Sequence, residues 1–419
     1  MSRTWVALLG VLLVSMSRAA IAEAAEPPTA AEPQGPTEKA APARADSDAI
    51  TVELITMGTG DLVFEKFGHA ALCLTRGKGA NRSRCYNYGS TNFDQLATLA
   101  WGFLRGRSVF WVSRTTRERM LADYRRADRS IWSQVLPIDH ADALALSAQL
   151  DRNALPANRD YRYHHFRDNC ASRLRDVIDR ATAGALSAPA PSGREPHPSY
   201  RQLTRRGFAG SPAVLLASDL ILGRAADHPP DSFEAMFLPD VLRAEVERRL
   251  GVPAVLLYQR KGPPFPDHPG WGGRWVFAIL ALLAAAPLAW ARNRPGRRRW
   301  VLVLTTTPAG VLGLLVWFVA VASPLPELRW NEVLLVLMPF DLFIAFAPPT
   351  WARRYAVVRV GVLVAVSLLL AAGVLLQPLW AMLPVPMAVA LVIWALSSPV
   401  PGPNVPSGEQ LPATRSATS

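Results

Sequence analysis

The sequence lacks the short signatures that mark most hydrolases. It has no H-E-x-x-H, no C-x-x-C, no G-x-S-x-G elbow and no glycine loop able to cradle phosphates, so zinc-protease, dithiol, serine-elbow and nucleotide chemistries have no local support. Its seven histidines are scattered, not grouped as ligands, and neither a metal nor a cofactor is expected. No recognised nucleic-acid module accompanies the net charge of +12, and the basic loops fall in different compartments, which sets nucleic acid aside as a partner. Only three cysteines are present, Cys73, Cys85 and Cys170.

What is there is divided unevenly. Up to Tyr258 apolar runs alternate with charges and turn signals, as in a globular protein, whereas Trp275 to Leu396 is dominated by long uncharged stretches. Arg3, the apolar run 5–14 and the small residues through Ala20-Ile21-Ala22 follow the order of a secretory signal, assigned to residues 1–24. Residues 25–48 are Ala, Pro and Glu with scarcely a large apolar side chain, too little to offset the entropy of ordering, and read as a disordered linker. An exported domain follows at 49–270, then a transmembrane domain at 273–397 and a flexible cytoplasmic tail at 398–419.

Five candidate spans occupy 275–291, 300–322, 333–348, 357–376 and 381–396, each near the length a helix needs to cross. Arg292, Arg294, Arg297, Arg298 and Arg299 crowd one loop, and Arg353 and Arg354 the next on the same side; both loops are predicted to be cytoplasmic. That orientation carries everything before Trp275 across the membrane, in agreement with the signal. It implies a multi-pass protein of a bacterial inner membrane, its amino-terminal domain in the periplasm or outside. The connection 323–332, with Glu327, Arg329, Asn331 and Glu332, then emerges beside the exported domain. Asp341, after Pro339, is an intramembrane carboxylate, either functional or satisfied by a neighbouring helix.

Arg105, Arg107, Arg114, Arg117, Arg119, Arg125, Arg126 and Arg129 gather around a helix opened by Thr115-x-x-Glu118. They read either as a solvated face or as contacts for anionic lipid head groups, worth about 1 kcal/mol each near the surface.

Three cysteines in an exported chain leave one unpaired. Cys73 and Cys85 lie on strands flanking the turn-rich segment 76–83; folding symmetric about Gly79 sets them face to face, whereas a slip of one residue separates two buried thiols onto opposite faces. Cys170 is the remainder. Ala171, Leu174, Val177, Ile178 and Ala181 recur at helical spacing, with Asn169 or Asp168 as N-cap, so Cys170 falls on the first turn. There the orphan N–H groups and the helix dipole favour the thiolate. His69 at a strand start, after Gly68, supplies a base, and Asn87 lies on the same sheet face, where it can orient the imidazole. His164 and His165, tethered close to the nucleophile, suit wall or helix contacts better. His69, Asn87 and Cys170 are the candidate catalytic residues.

At Phe67-Gly68-His69-Ala70-Ala71-Leu72, Tyr86-Asn87-Tyr88-Gly89 and Tyr163-His164-His165-Phe166-Arg167-Asp168-Asn169-Cys170-Ala171-Ser172-Arg173 the chain resembles the Lnb amino-terminal periplasmic domain family. The resemblance spans roughly 52–257, and reaches Leu222-Gly223-Arg224-Ala225-Ala226-Asp227, Phe237-Leu238-Pro239 and 331–342. It implies an α+β exported domain, permuted papain-like (NlpC-like), followed by an α-helical multi-span membrane domain. It also implies a cysteine-dependent acyltransferase acting on lipid or lipoprotein acyl esters through an acyl thioester, with membrane lipids and lipoproteins as partners. The alternatives are an NlpC-like cell-wall peptidase or amidase and a non-catalytic membrane-anchored binding protein.

Overall fold

A computed structural model describes residues 49–77, 83–189, 197–291 and 294–397. The signal, the linker, the tail, the turn at Gly79 and Arg292 lie outside the described residues. The amino-terminal part is a mixed α/β domain built on one antiparallel seven-stranded sheet of order β6-β4-β3-β2-β1-β5-β7. Its strands are β1 Ile50–Met57, β2 His69–Arg76, β3 Ser83–Ser90, β4 Val109–Thr116, β5 Ile131–Val135, β6 Asp160–Arg162 and β7 Val255–Tyr258. The helices of this part are α1 Leu96–Leu104, α2 Arg117–Arg126, α3 His140–Asn153, α4 Cys170–Ala181, α5 Tyr200–Gly207, α6 Pro212–Ile221 and α7 Pro239–Leu250.

The central strands are buried almost continuously because helices cover both faces. Leu54, Leu72, Tyr86 and Tyr88 meet Leu150 of α3, Leu174 and Ile178 of α4 and Leu242 of α7 on one face; Ile55, Met57, Ala71 and Ile131 meet Met120 and Leu121 of α2 on the other. Each fully buried aliphatic contributes about 1.5–3 kcal/mol. Cys73 stands opposite Cys85 in the β2–β3 ladder and the two form a disulfide, so the symmetric hairpin is the observed one.

The basic cluster around α2 is not one face. The cap of α2 is Thr116, the last residue of β4, whose hydroxyl accepts from Arg119 N at 3.3 Å, and not Thr115, one residue earlier in the same strand. Arg117 grips Glu53 through two hydrogen bonds of 2.6 and 2.7 Å, Arg105 donates to the Ala322 carbonyl at 2.9 Å, and Arg129 is buried.

The carboxy-terminal region is mostly helical: α8 Trp275–Ala285, α9 Pro287–Ala291, α10 Arg298–Ala322, α11 Pro326–Arg329, α12 Asp341–Ile344, α13 Pro349–Ala371 and α14 Pro384–Ser397. Two of these, α10 and α13, are long and apolar enough to cross a membrane. Five spanning helices were expected; α8–α9 breaks before Pro287, α14 has 14 residues, and 333–348 is no spanning helix at all. Pro339 removes a backbone donor and disfavours helix at Met338. The irregular segment instead lies tight on α10, where a Cβ at Gly310 would meet Leu342 N at 2.6 Å and one at Gly313 would meet Met338 C at 2.9 Å. Asp341 is satisfied there by Tyr355 Oη at 2.5 Å and Arg359 Nη2 at 3.5 Å, with Arg359 also donating to Val336 O at 2.6 Å.

The α/β domain sits at the end of α10 and α13 remote from Arg298 and Arg353. Gln377 donates to Leu222 O at 2.7 Å, Gly223 N to Glu327 O at 2.6 Å and Arg224 N to Trp330 O at 2.6 Å. Replacing Cys73 and Cys85 by Ser is expected to lower the stability of the α/β domain by about 2–4 kcal/mol, read as an earlier chemical-denaturation midpoint of the full chain in detergent. An unchanged midpoint would contradict a stabilising bridge.

Candidate thiol site

Asn169 fixes the start of α4. Its Oδ1 accepts from Ser172 N at 2.9 Å while Ser172 Oγ accepts from Asn169 N at 2.8 Å, and its Nδ2 donates to the carbonyls of His165 at 2.7 Å and Phe237 at 2.9 Å. Asp168, the alternative cap, instead holds Arg173 by hydrogen bonds of 2.5 and 2.8 Å. The stripe Ala171, Leu174, Val177 and Ile178 seats the helix on the sheet. Cys170, the free cysteine, is thereby held on the first turn with the backbone N–H groups of Ala70, Ala171 and Cys170 itself bearing on its sulfur.

His69 begins β2. Gly68 before it has φ +77°, and a Cβ there would lie 2.6 Å from Met57 O, so the strand entry requires glycine. Gly89, at φ +100°, is where the parts meet: a Cβ added to it would lie 3.6 Å from Cys170 Cβ, 3.9 Å from His69 Cε1 and 3.9 Å from Tyr161 Oη. Thiol-bearing residue, imidazole and phenol therefore border one small opening. Among the described residues no hydrogen bond joins the thiol to the imidazole. Asn87 is buried beside the His69 ring and favours its charged form, and Tyr124 stacks on that ring with centroids 6.0 Å apart.

Burial governs the charge states. It pushes the Cys170 thiol above its ordinary value, against the opposing pull of the backbone N–H groups and of Arg129. It takes His69 down to about 4, with Arg129 lowering it further and Asn87 pulling the other way. The resting pair at neutral pH is thus a thiol and a neutral imidazole. The helix start alone was expected to acidify Cys170; desolvation outweighs it.

Arg129, read from sequence as part of a solvated or lipid-facing cluster, is only 3% exposed. Its Nε donates to Gly58 O at 2.9 Å, its Nη1 lies 3.4 Å from Glu65 Oε1, its guanidinium stands 4.9 Å over the Tyr124 ring, and its Nη2 has no partner among the described residues. Tyr161 was not foreseen either: its hydroxyl is buried without a hydrogen bond beside Gly89, and Arg173 lies 4.0 Å over its ring. Nothing in the local sequence of either residue marks it, since each acquires its place from long-range packing. His165 is caged by Phe67, Phe166 and Phe237, and burial, then His164, brings it to about 4. His164 Nε2 lies 3.6 Å from Glu327 Oε2, and Arg167 donates to the same carboxylate at 2.6 Å. Both histidines are wall and docking groups.

These features define a class: a mixed α/β domain presenting a free helix-start cysteine next to a strand histidine. Residues 37–206 match the model of the Lnb N-terminal periplasmic domain, and the chain contains a domain of that family. The match takes in His69, Asn87, Arg129, Tyr161 and Cys170 and ends before the 257 boundary read from sequence. No curated protein and no solved structure matches the chain.

Arg129→Gln is expected to slow alkylation of Cys170 by iodoacetamide several-fold at neutral pH and to move its pH midpoint upward, because a cation favouring the thiolate is gone. A superimposable pH profile would refute that coupling. His69 and His165 are both depressed to about 4, so the unfolded chain binds their protons first as pH falls. Stability referable to them is full above about pH 6.5 and is lost as pH drops toward 4. His165→Phe should flatten that acid limb in denaturation midpoints; an unaltered slope would contradict the assignment.

Proposed function

We propose that this protein is a membrane-bound, cysteine-dependent acyltransferase acting on acyl esters of lipids or lipoproteins. The observation that carries the reading is the convergence of Cys170 and His69 on Gly89. Neutral His69 takes the thiol proton as the Cys170 sulfur attacks the ester carbonyl. The tetrahedral intermediate expels the alkoxide, which His69 protonates, and an acyl thioester remains. An acceptor amine then attacks the thioester and gives a proton to His69, which passes it to the departing Cys170 sulfur, leaving the free thiol and an amide. Asn87 orients the imidazole. The helix-start N–H groups and the unpartnered Tyr161 hydroxyl are positioned to stabilise the oxyanion.

In this reading residues 49–270 form the exported domain, a permuted papain-like arrangement with its histidine on a strand ahead of the cysteine helix, and 273–397 form the multi-pass membrane domain. Two rings of exposed tryptophan support it. Trp271, Trp275, Trp330 and Trp380 flank the α/β domain, and Trp290, Trp300, Trp351 and Trp394 accompany the arginines at the far end, where Arg297 and Arg353 lie 4.5 and 5.9 Å over Trp290 and Trp394. Arg274 and Arg329 also lie over Trp380 and Trp330 near the α/β domain, but the denser arginine cluster is at the far end. Interfacial tryptophan on both sides with the excess of arginine on one is the pattern of an inner-membrane protein with its α/β domain outside.

In cells carrying this gene, Cys170→Ala should abolish the shift of lipoprotein amino termini to a lyso form with an N-acyl group, read by mass spectrometry, and His69→Gln should reduce it about 10²–10⁴-fold. Full conversion by the Cys170 variant would remove the nucleophile. An unchanged lipoprotein profile with the wild-type gene would remove the lipoprotein substrate.

A further inference from the structure

Next to the thiol site lies a cavity of about 800 Å³ to which the acyl-transfer chemistry assigns no role. It reaches the site at Gly68, the residue before His69, and at Met57, which pairs with His69 across the β1–β2 ladder. Its wall carries four cations, Lys66, Arg206, Arg243 and Arg260, and two carboxylates, Asp240 and Asp267. Arg206 pairs with Asp240 at 2.8 Å and Arg260 with Asp61 at 3.1 Å.

Among the described residues Lys66 and Arg243 make no carboxylate pair. The Lys66 ammonium, in a residue 8% exposed, donates to Gly60 O at 3.0 Å and lies 4.4 Å over the Phe265 ring. The Arg243 guanidinium lies 3.9 Å over Trp132, with only Thr56 Oγ1 at 3.5 Å as a polar partner. Burial, the largest influence on each, works against the charged form of both. Asp61 and Glu65 favour the charged form of Lys66, and Asp240 and Glu247 that of Arg243, without pairing directly with either. Sheltered cations held by aromatic faces and carbonyls gain further from an anion in direct contact. The amino terminus of α7 also opens on the cavity through Leu238 and Pro239, but there the Asp240 carboxylate, which accepts from Val241 N at 3.0 Å and pairs with Arg206, already answers the positive end of the helix, so the anion site rests on Lys66 and Arg243.

We propose that this cavity binds a phosphate-bearing ligand, its phosphate oxygens taken by Lys66 and Arg243 and its carbon portion lying against Phe67, Trp132 and Phe265. A phospholipid head group and free phosphate share that chemistry. Its use as the head-group subsite of the acyl donor rests on the acyl-transfer reading with a phospholipid as donor, since a diacylglyceryl lipoprotein carries no phosphate; the binding itself does not, so the test reads binding and not turnover.

Isothermal titration of the full chain in detergent with inorganic phosphate, glycerophosphoglycerol and glycerol separates the sources. Saturable binding of the phosphates but not of glycerol is expected, weakened at least tenfold in Arg243→Gln and by added salt, with Arg243→Lys intermediate. Tighter binding of glycerophosphoglycerol supports the proposal with a lipid head group as source, and equal affinities support it with the bare oxyanion. If Arg243→Gln fails to fold, Lys66→Gln gives the same reading. Absence of saturable binding of either phosphate to the wild type, or binding unaltered in both glutamine variants, overturns the proposal. Loss of acyl transfer in Cys170→Ala with phosphate binding intact shows the two readings to be separate.

Discussion

The capping of α4 by Asn169 is the interaction on which the site depends. One buried amide closes the first turn onto Ser172, holds the loop at His165 and ties both to the carbonyl of Phe237. A buried polar group left unpaired costs about 1–3 kcal/mol, so these partners are locked to one another. With the helix start immobilised, Cys170 is held with its sulfur against the Ala70 end of β2 and its Cβ beside Gly89. Gly68 lets the strand enter close to the Met57 carbonyl, and Gly89 leaves room for a reacting group between Cys170 and His69.

The same loop couples the site to the helical region. Arg167 and His164, a few residues ahead of Cys170, both reach Glu327, whose backbone carbonyl also accepts from Gly223. Arg105 meets the last turn of α10 and Trp101 stacks on Phe318 at 6.3 Å. The candidate nucleophile is thus held at the end of the apolar helices, where an ester at a membrane surface would present itself. The irregular 333–348 segment packs closely on α10, and its one carboxylate, Asp341, is paired with Tyr355 and Arg359.

Local patterns made much of this legible. The helix start at Cys170, the strand start at His69, the Cys73–Cys85 register and the division into a globular and an apolar half follow from capping, alternation and hydropathy, which act over a few residues. Arg129 and Tyr161 escaped because an arginine between a helix and a strand reads as surface until the fold closes over it. The raised Cys170 thiol escaped for a related reason: the helix dipole is visible in one dimension, whereas desolvation is a property of the packed whole. The third span failed on a competition between hydropathy, which favours a spanning helix, and Pro339, which forbids its continuation.

The central claim is that Cys170 carries the acyl group. Incubation of the full chain with a diacylglyceryl lipopeptide, rapid acid quench and peptide mass spectrometry test it most directly. The account predicts an acyl-mass adduct on the peptide containing Cys170, released by neutral hydroxylamine as a thioester is, and absent from the corresponding peptide of Cys170→Ala. Turnover of the lipopeptide by a Cys170→Ala chain, or an adduct confined to another residue, would contradict it.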